Sequence, residues 1–357
     1  MSAIYADHGS DAFNARMNDV MVRIATDVEQ ALGRNFVALI LGGGYGRGEG
    51  GVIRVDGVEQ PYNDLDFTLV VKRKRTVPFD TLNAISAQYE KEIRIDVDFS
   101  RPLTLHDIKT WPRWLMWYDL LHGHMVIKGP TDILTAHAPA TLNQPLPAIE
   151  ATRLALNRGA GLLWALRVAR GIEKGPDPDF TRRNYYKCIL AMGDALLIAH
   201  HCFATPYRGR DDRLTHLCKD SSDVAAFKLK RLYHQALRFK FQPDSLPHTQ
   251  AGEDQLKDLA KRWGAVFLHV EEIRTGNHWT SLSQYSRWKG LREVEQHSLK
   301  NLVRNLIRNK QLGIYSWRYP RETLYRQLPV LLGLTDRSVS DWPAESARFL
   351  GIWNRFN

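Results

Sequence analysis

Between residues 11 and 33 apolar side chains recur at spacings of three and four (Phe13, Met17, Val20, Met21, Ile24, Val28, Leu32), the period of a helix with one buried face. Gly33 stands where that helix should end. FVALIL (36–41) reads as a short buried strand and runs directly into GGGYGRGEGG (42–51). VIRVDGVEQPY predicts a hairpin, because Asp56-Gly57 is the dipeptide a type I′ turn favours. NDLDFTLVV (63–71) predicts another strand, with Leu65, Phe67 and Leu69 on one face and Asp64, Asp66 and Thr68 on the other. Residues 79–90 predict a helix. EIRIDVDFS (92–100) then reads as a third strand, in which Ile93, Ile95, Val97 and Phe99 alternate with Arg94, Asp96 and Asp98.

The pattern changes at about residue 150 to long helical periods over 151–172, 181–202, 222–240, 252–275, 290–310 and 320–332. GPDPD (175–179) and QPDSLPHTQAG (242–252) break them as loops. There are no repeats and no low-complexity tract. The whole predicts an α+β protein: an α/β head with a mixed sheet over residues 1–145, then an all-α helical domain over residues 146–357.

Composition adds exclusions. With 44% hydrophobic and 25% charged residues in 357, the chain is of ordinary globular make-up. No run approaches the ~18 apolar residues of a membrane span. The N-terminus MSAIYADHGSDAFNARM lacks the apolar core of a secretory signal. Cys188, Cys202 and Cys218 show no paired metal spacing and are too few for a disulfide framework, so the expected compartment is the cytoplasm. Charge is unevenly divided: residues 1–150 hold 15 Lys and Arg against 19 Asp and Glu, leaving 34 against 20 in the rest. A slightly acidic front and a basic back suggest an anionic ligand or partner, the alternative being a solvated basic surface.

The chemistry concentrates in the front half. Strand alternation puts Asp64 and Asp66 on one face, and likewise Asp96 and Asp98. On neighbouring strands those carboxylates would repel one another and raise each other's pKa. A hard divalent cation resolves the repulsion, and Mg²⁺ is held by a few carboxylates together with substrate phosphates. The glycine-rich turn has little side-chain bulk, so its backbone can approach phosphate oxygens, with Arg47 to neutralise charge. Together these make a coherent phosphoryl-transfer site.

LGGGYGRGEG, then NDLDFTLV, then IRIDVDFS resembles the nucleotidyltransferases of the DNA polymerase beta superfamily, in particular the kanamycin-nucleotidyltransferase type with a C-terminal helical domain. Gly43-Gly44 matches the glycine pair, Asp64-Leu65-Asp66 the metal-binding pair and Asp96 the third carboxylate; Asp98 competes for that place, and motif register favours Asp96. WYDLLHGHMVIKGPTDIL (117–134) resembles the segment that follows the catalytic residues in small-molecule nucleotidyltransferases. One departure stands out: Asp64 follows Gly44 by twenty positions, longer than usual, with 52–62 as an inserted hairpin.

The resemblance implies an Mg²⁺-dependent enzyme. Asp64, Asp66 and Asp96 would hold two ions, and a nucleoside triphosphate would be co-substrate. An acceptor hydroxyl would attack the α-phosphate, its proton passing to Asp96, and pyrophosphate would leave. It further implies nucleotide contacts at Gly43, Gly44 and Arg47. RRNYYKCILAMGDALLIAHH resembles the helix after the catalytic domain, which would bring Lys187 to the triphosphate, with Asp194 on the same helix face; Arg182 and Arg183 are further phosphate candidates. The acceptor implied is a small hydroxylated molecule. A tRNA or other RNA end, or a protein side chain as in nucleotidyltransferase toxins, is the alternative kept open by the basic back half, and a catalytically degenerate nucleotide-binding module is the non-enzymatic rival. No membrane partner is expected, and the sequence sets no oligomeric state.

Other patterns are weaker. Gly46-x-Gly48-x-x-Gly51 matches a dinucleotide turn, but a strand rather than a helix is predicted after it. A kinase would need H-R-D and D-F-G motifs, which are absent, and a Walker A motif would need Lys where Glu49 stands. Arg210 and His216 have the spacing of a HEPN-type ribonuclease pair. His122, His124, His200 and His201 lack a third ligand at metal spacing. Tryptophans interleaved with arginines, as in SRWKGLR and YSWRYPR, could stack bases, though ordinary helix packing gives the same pattern.

Overall fold

The computed structural model of the chain describes residues 3–293, 303 and 319–356. Its first helix, α1 (Asp11–Leu32), begins where the Ser10 hydroxyl accepts from the Phe13 N–H at 3.1 Å and ends at Gly33. The apolar stripe read from the sequence is its buried face. It packs on a sheet made of β1 (Phe36–Leu41), β4 (Leu65–Val71), β5 (Val97–Phe99) and β6 (Met125–Lys128) in the order β5-β4-β1-β6. β1 is antiparallel to both neighbours, whereas β4 and β5 run parallel, so the sheet is mixed.

Alternation along β1 explains why FVALIL is apolar throughout. Leu39 and Leu41 face a core shared with α1 and α3 (Phe79–Ile93), while Ala38 and Ile40 face a second core under Ile108 of α4 (Leu105–Lys109), Trp111, Leu120 of α5 (Leu115–His122) and Leu134 of α6 (Ile133–His137). Between β1 and β4 lie the short helix α2 (Gly43–Gly46) and the hairpin β2 (Val52–Val55) and β3 (Val58–Pro61). Both turn residues of that hairpin have positive φ (Asp56 51°, Gly57 80°), as a type I′ turn requires.

The strand expected over 92–100 is shorter than read. Ile93 continues the buried helical stripe Leu82, Ile85, Tyr89, so α3 runs on to Ile93. Arg94 then takes a left-handed conformation (φ 60°), and only Val97–Phe99 pair with β4.

The later chain is helical: α7 (Ala148–Ala169), α8 (Phe180–Ala199), α9 (Arg210–Asp220), α10 (Ser222–Ala226), α11 (Lys230–Phe241) and α12 (Glu253–Thr275), with Leu282–Arg287, Arg321–Leu331 and Trp342–Phe356 beyond. α7, α8 and α12 pack on one another, and Trp263 of α12 donates its indole N–H to the Ala155 carbonyl at 2.8 Å. The helix read over 222–240 is broken, Lys228 having φ 52° between α10 and α11. The one read over 290–310 lies outside the described residues apart from 290–293 and 303. None of the described helices is long and apolar enough to cross a membrane.

By contact density the chain forms two compact units. The first is Met1–Leu146 with Phe203–Arg210 and Leu237–His248, and the second is Pro147–Cys202, Asp211–Ala236 and Thr249–Asn357. The sequence placed a single boundary after residue 145. Two later segments instead return to the α/β unit, and no local pattern in either announces it.

Candidate active site

The sheet edge gathers the acidic residues. Asp66 opens β4 one residue after Leu65, and the parallel register pairs it with Asp98 on β5; Asp64 sits just before β4. Carboxylate oxygens of Asp64, Asp66 and Asp98 all lie within 4.8 Å of one another, the one such group of possible metal ligands among the described residues. Of the two aspartates weighed for the third place, Asp98 is the one in this group. Asp96 precedes the strand, in the bend that follows Arg94, and its backbone carbonyl accepts from the Leu65 N–H at 2.9 Å while its side chain stays outside the cluster. Alternation carries a side chain to a given face only where the backbone is a strand, and here that holds from Val97 on.

The glycine turn closes the other side. Gly42 donates its N–H to the Asp66 carbonyl at 2.8 Å, joining the turn to β4. Gly43 has φ 61°, and a Cβ there would strike the Asp66 Oδ2, so only glycine lets the turn pass beside that carboxylate. A Cβ at Gly44 would stand 3.1 Å from the Lys240 Nζ and 3.2 Å from the Glu49 carbonyl.

Lys240, which sequence reasoning passed over, therefore lies at this turn, carried there by the returning segment Leu237–His248. The β2–β3 hairpin holds that segment. The Arg54 N–H donates to Asp244 Oδ2 at 2.9 Å, and Tyr62 meets Phe239 edge-on at 5.9 Å between ring centroids. The other returning segment is tied by Glu49, a buried carboxylate that accepts from the Tyr207 and Arg208 N–H groups at 3.1 and 3.0 Å and pairs with Arg47 Nε at 3.1 Å. Arg47 and Lys240 both approach the Tyr207 ring, at 5.4 and 5.5 Å from its centre. Tyr45 fixes the geometry from below: its buried hydroxyl donates to the Gly51 carbonyl at 2.6 Å and accepts from the Tyr62 N–H at 3.0 Å.

Electrostatics follow from this crowding. Asp66 is reached by solvent at its edge, but dehydration by the surrounding protein pushes its carboxyl up to about 6, with Asp64 and Asp98 adding repulsion and Lys240 and Arg47 opposing it. Asp98 is raised as well, by burial first and then by Asp64, Asp96 and Glu90. Clustered oxygen donors whose charge the protein leaves partly unbalanced suit a hard divalent cation such as Mg²⁺.

A pH dependence follows. Asp66 binds its proton more tightly folded (about 6) than at its ordinary 3.8, so without metal the fold should lose stability as pH rises through that interval. A divalent cation held by these carboxylates would compete with the proton. Mg²⁺ is expected to raise Tm clearly at about pH 8 and little at about pH 5, where Asp66 is protonated. Thermal melts with and without Mg²⁺ check this, and equal shifts at both pH values would contradict it.

Lys187 is exposed on α8 in the second unit. Asp194, two turns on along the same helix, is buried and accepts from the Tyr233 hydroxyl at 2.5 Å, because the C-terminal half of α8 is enclosed by core. Of the two other phosphate candidates, Arg182 is buried and pairs with Asp179 at 3.3 Å, while Arg183 pairs with Asp177. Arg210 is buried too, donating from Nε to the Ala204 and Pro206 carbonyls at 2.8 and 3.1 Å and lying over Phe203 and Tyr207. That gives it a fold-holding role rather than the ribonuclease role its spacing with His216 suggested. Trp263 and Trp279 are core residues, and Trp317 lies outside the described residues.

No protein-family profile and no curated protein matches this chain. Among solved structures, it is similar to the spectinomycin adenyltransferase of Enterococcus faecialis, crystallised with ATP and spectinomycin. The likeness spans 68% of this chain and 98% of that one at 12% identity, with a TM-score of 0.37.

Proposed function

We propose that this chain is a nucleotidyltransferase that moves a nucleoside monophosphate from a nucleoside triphosphate to a hydroxyl of a small acceptor, releasing pyrophosphate. The observation that carries it is the cluster of Asp64, Asp66 and Asp98 oxygens within 4.8 Å, set directly against the glycine turn. The three carboxylates would hold Mg²⁺, which when bound neutralises phosphate charge and orients the reacting oxygens. Asp98 takes the proton of the acceptor hydroxyl, the role the resemblance gave to Asp96. The turn at Gly43 and Gly44 leaves room for phosphate oxygens. Arg47, held by Glu49, and Lys240, held by the returning segment, supply the cations that steady the triphosphate. Catalysis on this reading is placement and charge neutralisation.

Two variants probe the phosphate cradle. Gly44→Val would push Lys240 and the Glu49 carbonyl aside, and Lys240→Ala would remove the cation. Each should raise the KM for the triphosphate by about tenfold or more, as lost charge-assisted contacts do. Steady-state kinetics decide, and an unchanged KM in both would remove the cradle.

The acceptor class is tested by pyrophosphate release from each triphosphate in the presence of a metabolite extract or of total RNA. An RNA acceptor is the second reading, favoured by the basic excess of 34 over 20 beyond residue 150. It would show RNA affinity falling ~10³-fold or more between about 50 and 200 mM salt. The reading favoured here expects release with the metabolite extract and a shallow salt dependence.

A further inference from the structure

The second unit contains a cavity of about 660 Å³ among the helices Leu282–Arg287 and Arg321–Leu331 and the loop that follows the latter. The proposed transfer reaction uses none of its residues. Its lining is polar: arginines and hydroxyls outnumber the few apolar contacts from Val330, Leu331 and Val339.

Three guanidinium groups reach it. Arg287 is already matched, pairing with Asp336 at 2.7 Å. Arg326 and Arg337 have no carboxylate partner among the described residues, and Arg326 is steadied by donating from Nε to the Ser286 carbonyl at 3.3 Å. Ser286, also in the lining, has a buried hydroxyl oxygen with no hydrogen-bond partner among the described residues. The planar fork of an arginine matches the oxygens of a phosphate, and the hydroxyls of Ser283, Thr323 and Thr335 in the same lining can donate to them. The same cavity holds acceptors, Asp336, Gln327 and Glu345, which would receive hydroxyl protons from a ligand. Its volume is that of a pocket for a small molecule rather than a track along a polymer.

We propose that this cavity binds a phosphomonoester of a small polyhydroxylated molecule, a sugar phosphate in chemical class. Arg326 and Arg337 take the phosphate and the acidic rim takes the hydroxyls. This assignment rests on the second unit alone and stands whether or not the transfer reaction is confirmed.

The test is calorimetric titration of the full chain with ribose 5-phosphate, inorganic phosphate, ribose and a single-stranded RNA oligonucleotide. Ribose 5-phosphate should bind more tightly than inorganic phosphate, and ribose should not bind. The double variant Arg326→Gln with Arg337→Gln should weaken ribose 5-phosphate by about tenfold or more, the effect of losing charge-assisted hydrogen bonds. Both side chains are exposed, so the variant should keep the wild-type Tm, and Arg337→Gln alone, on the loop, serves if the double variant does not fold. Absent binding of ribose 5-phosphate up to about 10 mM, the weak limit of a real site, would overturn the proposal. So would binding that the variants leave unchanged, which would place the ligand elsewhere, the triphosphate site included. RNA binding tighter than ribose 5-phosphate and lost in the variants would overturn it in favour of a polynucleotide site.

Discussion

Asp66→Asn should abolish nucleotidyl transfer, lowering kcat by about 10³-fold or more, the scale expected when a metal ligand at a phosphoryl centre is lost. The substitution is nearly isosteric, and Asp66 contributes no apolar contact to either core. What it does contribute is charge, at a place where dehydration and two neighbouring carboxylates already push its carboxyl up to about 6. Removing that charge relieves repulsion, so above about pH 6 and without metal the variant should melt at or above the wild-type temperature. Activity and stability are thus expected to move in opposite directions. A residue serving only the fold would lose both together, and measuring kcat beside Tm separates the cases. Asp64→Asn should likewise lose transfer, because its oxygens belong to the same cluster.

Asp98→Asn should match that loss, while Asp96→Asn should retain activity within about threefold, the range of a nearby charge that touches no reacting group. The two residues are separated by a single position, share a motif and share a residue type, so only geometry distinguishes them. Asp98 pairs with Asp66 in the parallel register and joins the cluster; Asp96 lies before the strand, with its carbonyl on Leu65. Parallel assays of the two variants decide the matter, and the reverse ranking would return the role to Asp96.

Much of the site was legible because its signals are local. A strand of uniform apolar character, a glycine turn and an Asp-x-Asp pair each occupy a few consecutive residues; alternation put Asp64 and Asp66 on one face, and the resemblance set them with the turn. The choice between Asp96 and Asp98 was not legible, because it depends on where a helix ends. Ile93 satisfies helical and strand periods alike, and packing of its stripe decided for the helix. Lys240 was hidden for another reason. It reaches the turn through Leu237–His248, which is held by tertiary contacts such as Arg54 with Asp244 and Tyr62 with Phe239. Those contacts also give the β2–β3 hairpin a purpose that its sequence did not suggest. Glu49 was read only as the residue that spoils a Walker motif, yet it anchors Arg47 and the backbone of Tyr207 and Arg208.

The central claim is that chemistry occurs at the α-phosphate, and the position of a radiolabel reports it directly. The protein is incubated with Mg²⁺, an acceptor extract and a triphosphate labelled at either the α- or the γ-phosphate. The account predicts that α-label enters the acceptor, that γ-label appears only in pyrophosphate, and that Asp66→Asn does neither. Transfer of γ-label to the acceptor, or release of γ-label as inorganic phosphate without any acceptor labelling, would contradict it.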